Sequence, residues 1–285
     1  MTAAVKNHIE AVIGSCIQKV VPVGGGCIAN ASRVTTAAGD YFVKWGNPAV
    51  AATFDAEAAG LQALKSAHAP LIIPDVISCD TSAGCLVLSW IEQGRKTPSF
   101  SADFGSALAQ LHRSEADRYG FSIDNFIGKT SQNNDWCSSW VMFFREMRLD
   151  PQVNLARSSN LWRPSWDGLL RRLYVELPNL MPDQPEKSLL HGDLWSGNYL
   201  VAKNGQAALI DPACYYGHRE ADLAMTELFG GFDDAFYDAY QNAWPLEPGY
   251  ENRRAIYNLY HLLNHLNIFG SSYAAGVEKI LSRYK

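Results

Sequence analysis

The sequence predicts an α+β protein with two lobes, a small lobe built on an antiparallel sheet and a larger, mainly helical lobe. Short strand-like runs separated by turn residues fill the first ninety residues, with one helical pattern among them. Beyond Gly94 the pattern becomes helical and is punctuated by prolines, with one strand pair inside it. These observations place the lobes at residues 1–90 and 91–285, joined by a short hinge near residues 89–94.

The small lobe is predicted element by element from its turn residues. A leading helix covers about the first 20 residues, and two strands follow it on either side of a glycine-rich turn at 24–31. Ala38-Gly39-Asp40 marks a hairpin into a strand at 41–44. A helical pattern covers 54–68, and the runs IIPDVISCD and GCLVLSWIE supply two further strands around a turn at 81–84.

The large lobe is predicted from helical patterns that prolines separate. These patterns cover residues 104–113, 136–149, 165–177, 221–228 and 256–266. The strand pair lies in LLHGDLWSGNYLV and QAALIDP, and Asn204-Gly205 forms a turn between its outer strands.

Composition excludes several classes of partner. The chain has 285 residues, 47% of them hydrophobic and 19% charged, which is ordinary for a protein with a sizeable core. Its formal net charge of -5 disfavours a general hold on nucleic acid or anionic lipid. No run approaches the roughly 20 apolar residues that cross a bilayer, and the N-terminus lacks a basic leader with a long apolar core. The six cysteines are scattered without C-x-x-C pairs, so a soluble, cytoplasmic protein with reduced thiols is expected.

The segment His191-Gly192-Asp193-Leu194-Trp195-Ser196-Gly197-Asn198 carries the strongest chemical pattern. Phosphoryl transfer needs a carboxylate that orients and deprotonates the attacking hydroxyl, and oxygen ligands for the magnesium ions that neutralise the phosphates. Asp193 and Asn198, on a loop after an apolar strand, supply both functions, and Asp211 follows at the end of the next apolar run. The alternative is that Asp193 and Asn198 only form turns. The flanking strands and the second aspartate favour catalysis, with ATP and Mg²⁺ as cofactors.

Upstream residues fit the same chemistry. Lys44 closes a strand, where its ammonium would reach phosphates, and Glu57 on the next helix would pair with it. Taken alone, each is better explained as a solvated surface charge. Gly24, Gly25, Gly26 and Cys27 lie one strand before the lysine; this turn is either a plain hairpin or a cover for ATP phosphates through its N–H groups.

The chain resembles the fructosamine kinase (ketosamine-3-kinase) family. The resemblance is carried by GGGCI at 24–28, YGF at 119–121, DNFIG at 124–128, HGDLWSGN at 191–198, DPACYYGHREADLAM at 211–225 and YHLLNHLNIFG at 260–270. It implies a two-lobed protein-kinase-like fold, related to the aminoglycoside phosphotransferases. It also implies ATP-dependent phosphorylation of the 3-hydroxyl of a ketosamine or glycated amine. The phosphorylated adduct then breaks down, which implies a role in deglycation.

The resemblance also assigns roles to residues. It makes Asp193 the catalytic base, Asn198 and Asp211 the metal ligands, and Lys44 with Glu57 the pair that positions phosphates. It places the adenine-binding hinge at residues 88–91, which include Ser89, Trp90 and Ile91. The segment 29–31 departs from the more polar or glycine-rich continuation that the family leads one to expect in the glycine loop.

Other residues allow two interpretations each. Trp195 is either a platform under the sugar or an aromatic packed between the lobes. His261 and His265 are one helical turn apart but have no third metal ligand, so ordinary packing or a substrate contact from His265 is expected.

Residues 218–220 form either a structural network or a substrate contact, and His191 is expected to orient the loop. Cys27 is either an inert thiol or the site of a redox-sensitive disulfide, so the protein is expected to be a monomer or a redox-sensitive homodimer.

Two other functions remain open at this stage. One is a related kinase for an aminoglycoside, choline or another small alcohol, which the sequence Trp195-Ser196-Gly197 disfavours. The other is a catalytically silent nucleotide-binding module, which the joint presence of Asp193, Asn198, Asp211 and Lys44 disfavours. A protein kinase is less favoured still, because His-Arg-Asp, Asp-Phe-Gly and Ala-Pro-Glu are absent.

Overall fold

A five-stranded antiparallel sheet forms the centre of the small lobe. The computed structural model describes residues 1–24 and 29–284. The sheet has the spatial order β1-β2-β3-β5-β4, and its strands are β1 (Ile17–Pro22), β2 (Asn30–Thr36), β3 (Gly39–Trp45), β4 (Val76–Asp80) and β5 (Cys85–Ser89). Three helices accompany it: α1 (Ala3–Ile13), α2 (Pro48–Ala51) and α3 (Phe54–Ser66). The strands predicted from the hairpin at 38–40 and around the turn at 81–84 are confirmed.

The sheet is covered by α1 on one face and by α3 on the other. Successive side chains of a strand point to opposite faces, and β5 shows this alternation directly. Cys85 and Val87 pack in one cluster with Val5 and Ile9 of α1. Residues 86 and 88 pack in a second cluster with α3. Both faces of β5 are therefore buried, which explains its continuous apolar run.

Helix α1 is shorter than its sequence pattern predicted. Gly14 has φ +68°, a left-handed conformation that glycine adopts without steric cost, and its N–H donates to the carbonyl of Glu10 at 2.9 Å. The helix ends at Ile13, and β1 begins at Ile17, whose N–H donates to the Glu10 carboxylate at 2.8 Å. The prediction of a helix over about 20 residues was wrong in its end point.

The larger lobe is mostly helical and follows β5. Its helices are α4 (Phe100–His112), α5 (Trp140–Phe143), α6 (Asp150–Ser158), α7 (Trp166–Leu180), α8 (Glu220–Leu228), α9 (Asp234–Ala243), α10 (Tyr250–Phe269) and α11 (Ala274–Leu281). A π-helical turn, Phe144–Leu149, continues α5, and short 3₁₀ turns lie at Ser271–Tyr273 and Ser282–Tyr284. Its strands are β6 (Asn125–Ile127), β7 (Thr130–Gln132), β8 (Ser188–Leu190), β9 (Tyr199–Val201), β10 (Ala207–Leu209) and β11 (Tyr215–Gly217).

Two prolines do not interrupt helices as the sequence pattern suggested. Pro151 lies at the start of α6, directly after the π-helical turn Phe144–Leu149, so the helical run passes through this proline without a break. Pro178 lies inside α7, near its end, so the helix extends past the predicted limit at 177 to Leu180. Helices α6, α9 and α11 were not predicted from the sequence.

The predicted strand pair exists, but it is divided between two short sheets. Strand β9 pairs with β10, with Val201 opposite Ala207, and Gly205 in the turn between them has φ +84°. The predicted turn is therefore confirmed. Strand β8, which leads into residues 191–198, pairs instead with β11. The chain on both sides of the predicted hinge contacts the β9–β10 hairpin, since Ile72 N donates to Ala207 O at 2.9 Å and Gly94 N donates to Val201 O at 2.8 Å.

One large apolar core fills the helical lobe, and Trp140, Trp166 and Tyr257 are among its largest fully buried side chains. Within residues 1–24 and 29–284, no helix combines the length and the apolar character needed to span a bilayer.

Candidate active site

The loop between β8 and β9, residues 191–198, is pressed against the chain that follows β10. Gly192 has φ +81°, and a Cβ placed on it would lie 2.0 Å from the carbonyl oxygen of Ala213. Ala213 N in turn donates to His191 O at 2.8 Å. Both the backbone conformation and the close approach therefore require glycine between His191 and Asp193.

Asp222, in the first turn of α8, holds the start of this loop. Its carboxylate accepts hydrogen bonds from the backbone N–H of His191 at 2.7 Å and of Gly192 at 2.9 Å. A third contact comes from Nε2 of His112 at 3.2 Å. Burial alone would raise the pKa of Asp222, but the hydrogen bond and charge of His112 and the other donors lower it below its usual value. Asp222 is an ionised anchor for the loop.

No role for Asp222 was predicted from the sequence. The signal that could have found it is a single acid in the apolar run Ala221-Asp222-Leu223-Ala224-Met225, on a helical face where a charge requires partners. His191 does orient the loop, as expected. Its Nε2 lies 2.9 Å from the carbonyl oxygen of Ile210 and therefore donates to it, while its Nδ1 lies 3.3 Å from the N–H of Asp193.

Asp193 and Asn198 face each other across the loop. The Asn198 amide nitrogen donates to the Asp193 carbonyl at 2.8 Å and to its carboxylate Oδ2 at 3.1 Å. Burial raises the pKa of Asp193 to about 7, against the effect of the Asn198 hydrogen bond, and the charges of Asp211 and Asp222 contribute in the same direction. A carboxyl group with a pKa near neutrality is suited to accept a proton from a hydroxyl.

The Lys44 ammonium contacts two carboxylates, that of Glu57 in its own lobe and that of Asp211 in the larger lobe. Its Nζ lies 2.8 Å from Oε1 and 2.9 Å from Oε2 of Glu57, and 2.6 Å from Oδ1 of Asp211. Burial would lower the pKa of Lys44, but the charges of Glu57 and Asp211 raise it above its ordinary value, so the ammonium is charged. Asp211 has φ +54°, an uncommon conformation for a non-glycine residue. The structure brings Asp211 to Lys44 and Glu57, although it lies 167 residues after Lys44 in the sequence.

The oxygen atoms at this site suit a hard cation. The Nδ2 atom of Asn198 is directed at Asp193, and one oxygen of Asp211 contacts Lys44, which leaves Asn198 Oδ1 and Asp211 Oδ2 as acceptors. The described ranges contain no group of three or more His, Cys, Asp or Glu side chains placed to hold a metal. Mg²⁺ is commonly bound through one or two carboxylates together with substrate phosphates. The residues present fit Mg²⁺ that arrives with a nucleotide.

The predicted nucleotide-binding residues are described only in part. Gly24 follows β1 and is exposed, and no atom of the described residues lies within 4 Å of an added Cβ. Gly25, Gly26 and Cys27 lie outside the described residues, and the redox-sensitive homodimer predicted from Cys27 stays a prediction.

At the predicted hinge, the Ser89 hydroxyl accepts a hydrogen bond from Asp75 N at 2.8 Å. The guanidinium of Arg33 lies 4.7 Å from the ring centre of Trp90, and Ile91 is exposed to an intermediate degree. These contacts fix the course of the segment, and its role in adenine binding stays a prediction.

Trp195 and His265 were the predicted substrate contacts. Trp195 is 39% exposed, and its ring lies over Gly197, where an added Cβ would come within 2.4 Å of a ring carbon. His265 Nδ1 lies 2.8 Å from the carbonyl oxygen of His261, so this nitrogen carries a hydrogen and does not face a metal. Residues 218–220 belong to a structural network: Arg219 donates to two backbone carbonyls, and Glu220 forms a buried bidentate ion pair with Arg253.

The fold and this loop define a phosphotransferase of protein-kinase-like fold. Solved structures support the fold: the gentamicin complex of APH(2'')-IIa superposes with a TM-score of 0.68 at 15% identity, covering 100% of this chain and 96% of that chain. The sequence profile described as "Fructosamine kinase" matches residues 1–285. The chain belongs to the fructosamine kinase family.

Relatives in this family are similar along nearly the whole chain. A "Probable ketoamine kinase" of Lactiplantibacillus plantarum is 42% identical over 94% of this chain and 95% of its own length. The chloroplastic "Protein-ribulosamine 3-kinase" of Arabidopsis thaliana is 38% identical over 94% of this chain and 83% of its own length. A crystal structure of a Thermobifida fusca protein assigned to the fructosamine-3-kinases has a TM-score of 0.90 at 31% identity, covering 99% of this chain and 98% of that chain.

Proposed function

We propose that the protein transfers the γ-phosphate of ATP to the 3-hydroxyl of a ketosamine and thereby serves in deglycation. The observation that carries the proposal is the pairing of Asp193 with Asn198 beside the ion cluster of Lys44, Glu57 and Asp211. The choice of substrate is supported by family membership and by the relatives named ketoamine kinase and ribulosamine 3-kinase.

The proposed role of Asp193 is to orient the attacking hydroxyl and accept its proton as the oxygen bonds to the γ-phosphorus, while the bond from that phosphorus to the β–γ bridging oxygen breaks and ADP leaves. Asn198 holds this carboxylate through its amide nitrogen, and Asp222 fixes the backbone that carries it. The Lys44 ammonium, held by Glu57, positions the nucleotide phosphates. Asn198 and Asp211 would hold Mg²⁺, which neutralises charge on the phosphates when bound.

An assay of acceptor specificity tests the substrate class. The protein is incubated with ATP, Mg²⁺ and one acceptor at a time. The acceptors are fructosyl-lysine, ribulosyl-lysine, choline and an aminoglycoside, and NMR locates the new phosphate. We expect phosphate on the 3-hydroxyl of the ketosamines. Transfer to choline or the aminoglycoside alone, or to another hydroxyl, would refute the proposal.

Substitution of the base tests the role of Asp193. We expect Asp193→Asn to lower kcat by about 10² to 10⁴, the usual contribution of a positioned general base. Nucleotide binding, measured by calorimetry, should persist because Lys44 and Asp211 are untouched. Asp117→Asn, an exposed isosteric change, serves as the control. Unchanged turnover in Asp193→Asn would remove this residue from the chemistry.

A further inference from the structure

A cluster of aromatic rings surrounds His265 at the end of α10. The ring of His265 lies 4.7 Å from Phe229, 5.4 Å from Phe269 and 5.1 Å from Tyr273, measured between centroids. We call these four side chains the aromatic cluster. Phe229 is 40% exposed and Phe269 is 54% exposed. Adjacent exposed aromatic rings are a feature of binding sites, whereas isolated ones need no explanation.

The aromatic cluster is continuous with residues 191–198, called the catalytic loop after the role proposed for Asp193. Phe229 opens the short segment 229–231, which packs on that loop. A Cβ placed on Gly231 would lie 2.4 Å from the Cβ of Ser196, the residue after Trp195. The hydroxyl of Tyr199 donates to the carbonyl of Gly231 at 3.2 Å. The aromatic cluster therefore borders the side of residues 191–198 that carries Trp195 and Ser196, the side on which Trp195 is predicted to contact the acceptor.

The chemistry of the aromatic cluster favours a cation with N–H groups. His265 Nδ1 donates to the carbonyl of His261, so Nε2 carries the lone pair and accepts hydrogen bonds. Burial lowers the pKa of His265, which keeps the ring neutral. Within the described residues no Lys or Arg stacks on these rings, although such pairs occur elsewhere, as for Arg33 on Trp90 and Arg219 on Trp244. The described Lys and Arg side chains thus leave these rings without a cation, and Phe229 and Phe269 are the exposed members of the aromatic cluster.

We propose that the aromatic cluster binds the secondary ammonium that joins the ketosamine sugar to its amine. This inference rests on the proposed function and adds the group by which the acceptor is selected. The rings attract the positive charge through their quadrupoles, and His265 Nε2 accepts an N–H of the ammonium. A sugar or polyol without this charge lacks both interactions.

A matched pair of acceptors tests the proposal. One is 1-(butylamino)-1-deoxyfructose, and the other carries an ether oxygen in place of the amine nitrogen. The variants Phe229→Leu and Phe269→Leu keep apolar bulk but remove the π face. We expect each to raise KM for the amine by roughly 3- to 30-fold, the range of a cation–π contact, and to change KM for the ether less than 2-fold. Val175→Ala, exposed on α7, is the control.

The possible results separate the two proposals. If the parent protein phosphorylates neither acceptor, the proposed function fails and this inference falls with it. If the parent is active but KM rises equally for both acceptors in the Phe variants, or rises for neither, the proposed function stands and the ammonium site is refuted. Thermal unfolding of each variant shows whether an equal loss comes from a damaged fold.

Discussion

The substitution Asp222→Asn tests how the catalytic loop is held. In the native protein the carboxylate accepts from His191 N at 2.7 Å, Gly192 N at 2.9 Å and His112 Nε2 at 3.2 Å. An amide group of the same shape has one acceptor oxygen, so one of the two backbone N–H groups loses its partner whichever way the amide faces. His112 can change tautomer to accept from the new amide, but a backbone N–H cannot adapt.

The expected loss of stability follows from the one backbone N–H group that loses its acceptor. A buried donor left without an acceptor costs about 1–3 kcal/mol, and the remaining bond loses its charged partner. We therefore expect Asp222→Asn to lower the free energy of unfolding by about 2–4 kcal/mol. We also expect it to lower kcat, because the misplaced N–H groups belong to the residues directly before Asp193. Nucleotide affinity should change little, since Lys44 and Glu57 lie on other elements.

Urea unfolding followed by circular dichroism gives the change in stability, and steady-state kinetics gives kcat and KM. The control is Asp117→Asn, which makes the same chemical change at an exposed position and should stay within about 0.5 kcal/mol of the parent. A stability within that limit for Asp222→Asn would refute the anchoring role. A large loss of kcat without a loss of stability would mean that Asp222 acts on the reacting groups.

Further predictions concern pH, backbone and charge. Burial lowers the pKa of His261 to about 3, so this residue binds a proton more readily in the unfolded chain than in the folded one. Lowering the pH from 7 to 5 should therefore reduce the free energy of unfolding by about 2 kcal/mol through His261 alone. His261→Gln should show a correspondingly shallower decline. Gly192→Ala should destabilise by at least about 2 kcal/mol, because it combines a positive φ with a clash on a backbone oxygen. Gly168→Ala in α7, with open space around its Cβ, should be neutral or stabilising. Lys44→Met and Glu57→Gln should each destabilise, and the double variant should lose less than their sum. Lys44→Met leaves the Glu57 carboxylate without its ammonium, and Glu57→Gln removes one of the two carboxylates that hold Lys44, the other being Asp211.

Each of these expectations has a contrary result. Equal pH slopes for the parent and His261→Gln in urea unfolding would assign the acid sensitivity to other groups. Equal stability of the two alanine variants would contradict the contact described for Gly192. Additive losses in the Lys44 and Glu57 cycle would show that the ion pair contributes no coupling energy.

The sequence predicted the fold class and most of the small lobe because turn chemistry and strand periodicity are local. The hairpin at 38–40 and the turn at Asn204-Gly205 are set by neighbouring residues, and both were found. The Lys44–Glu57 contact was predicted from the position of Lys44 at the end of a strand and of Glu57 on the helix that follows it. The end of α1 was misplaced because one left-handed glycine, Gly14, overrode the pattern.

Contacts between residues that lie far apart in the sequence could not be predicted from local patterns. The pairing of β8 with β11, in place of its neighbour β9, is decided by how residues 211–217 return across the lobe. The roles of Gly192 and Asp222 depend on that same return, because Gly192 contacts Ala213 and Asp222 accepts from the N–H groups of His191 and Gly192. A further partner of Asp222, His112, lies 110 residues before it. Helices α6, α9 and α11 are stabilised mainly by packing in the large core, which local propensity does not reveal.

Three aspartates around one loop show how surroundings determine what a residue type does. Asp222 is enclosed by donors, so its pKa is lowered and it is an ionised anchor. Asp193 is half-buried and has one side-chain donor among the described residues, Asn198, so the loss of hydration dominates and raises its pKa to about 7. Asp211 lies beside the Lys44 ammonium with 41% of its side chain exposed, so an oxygen stays accessible to a ligand. The proposed proton acceptor, the anchor and the proposed cation ligand thus differ in their hydrogen-bond donors and burial, and their order in the sequence does not distinguish them.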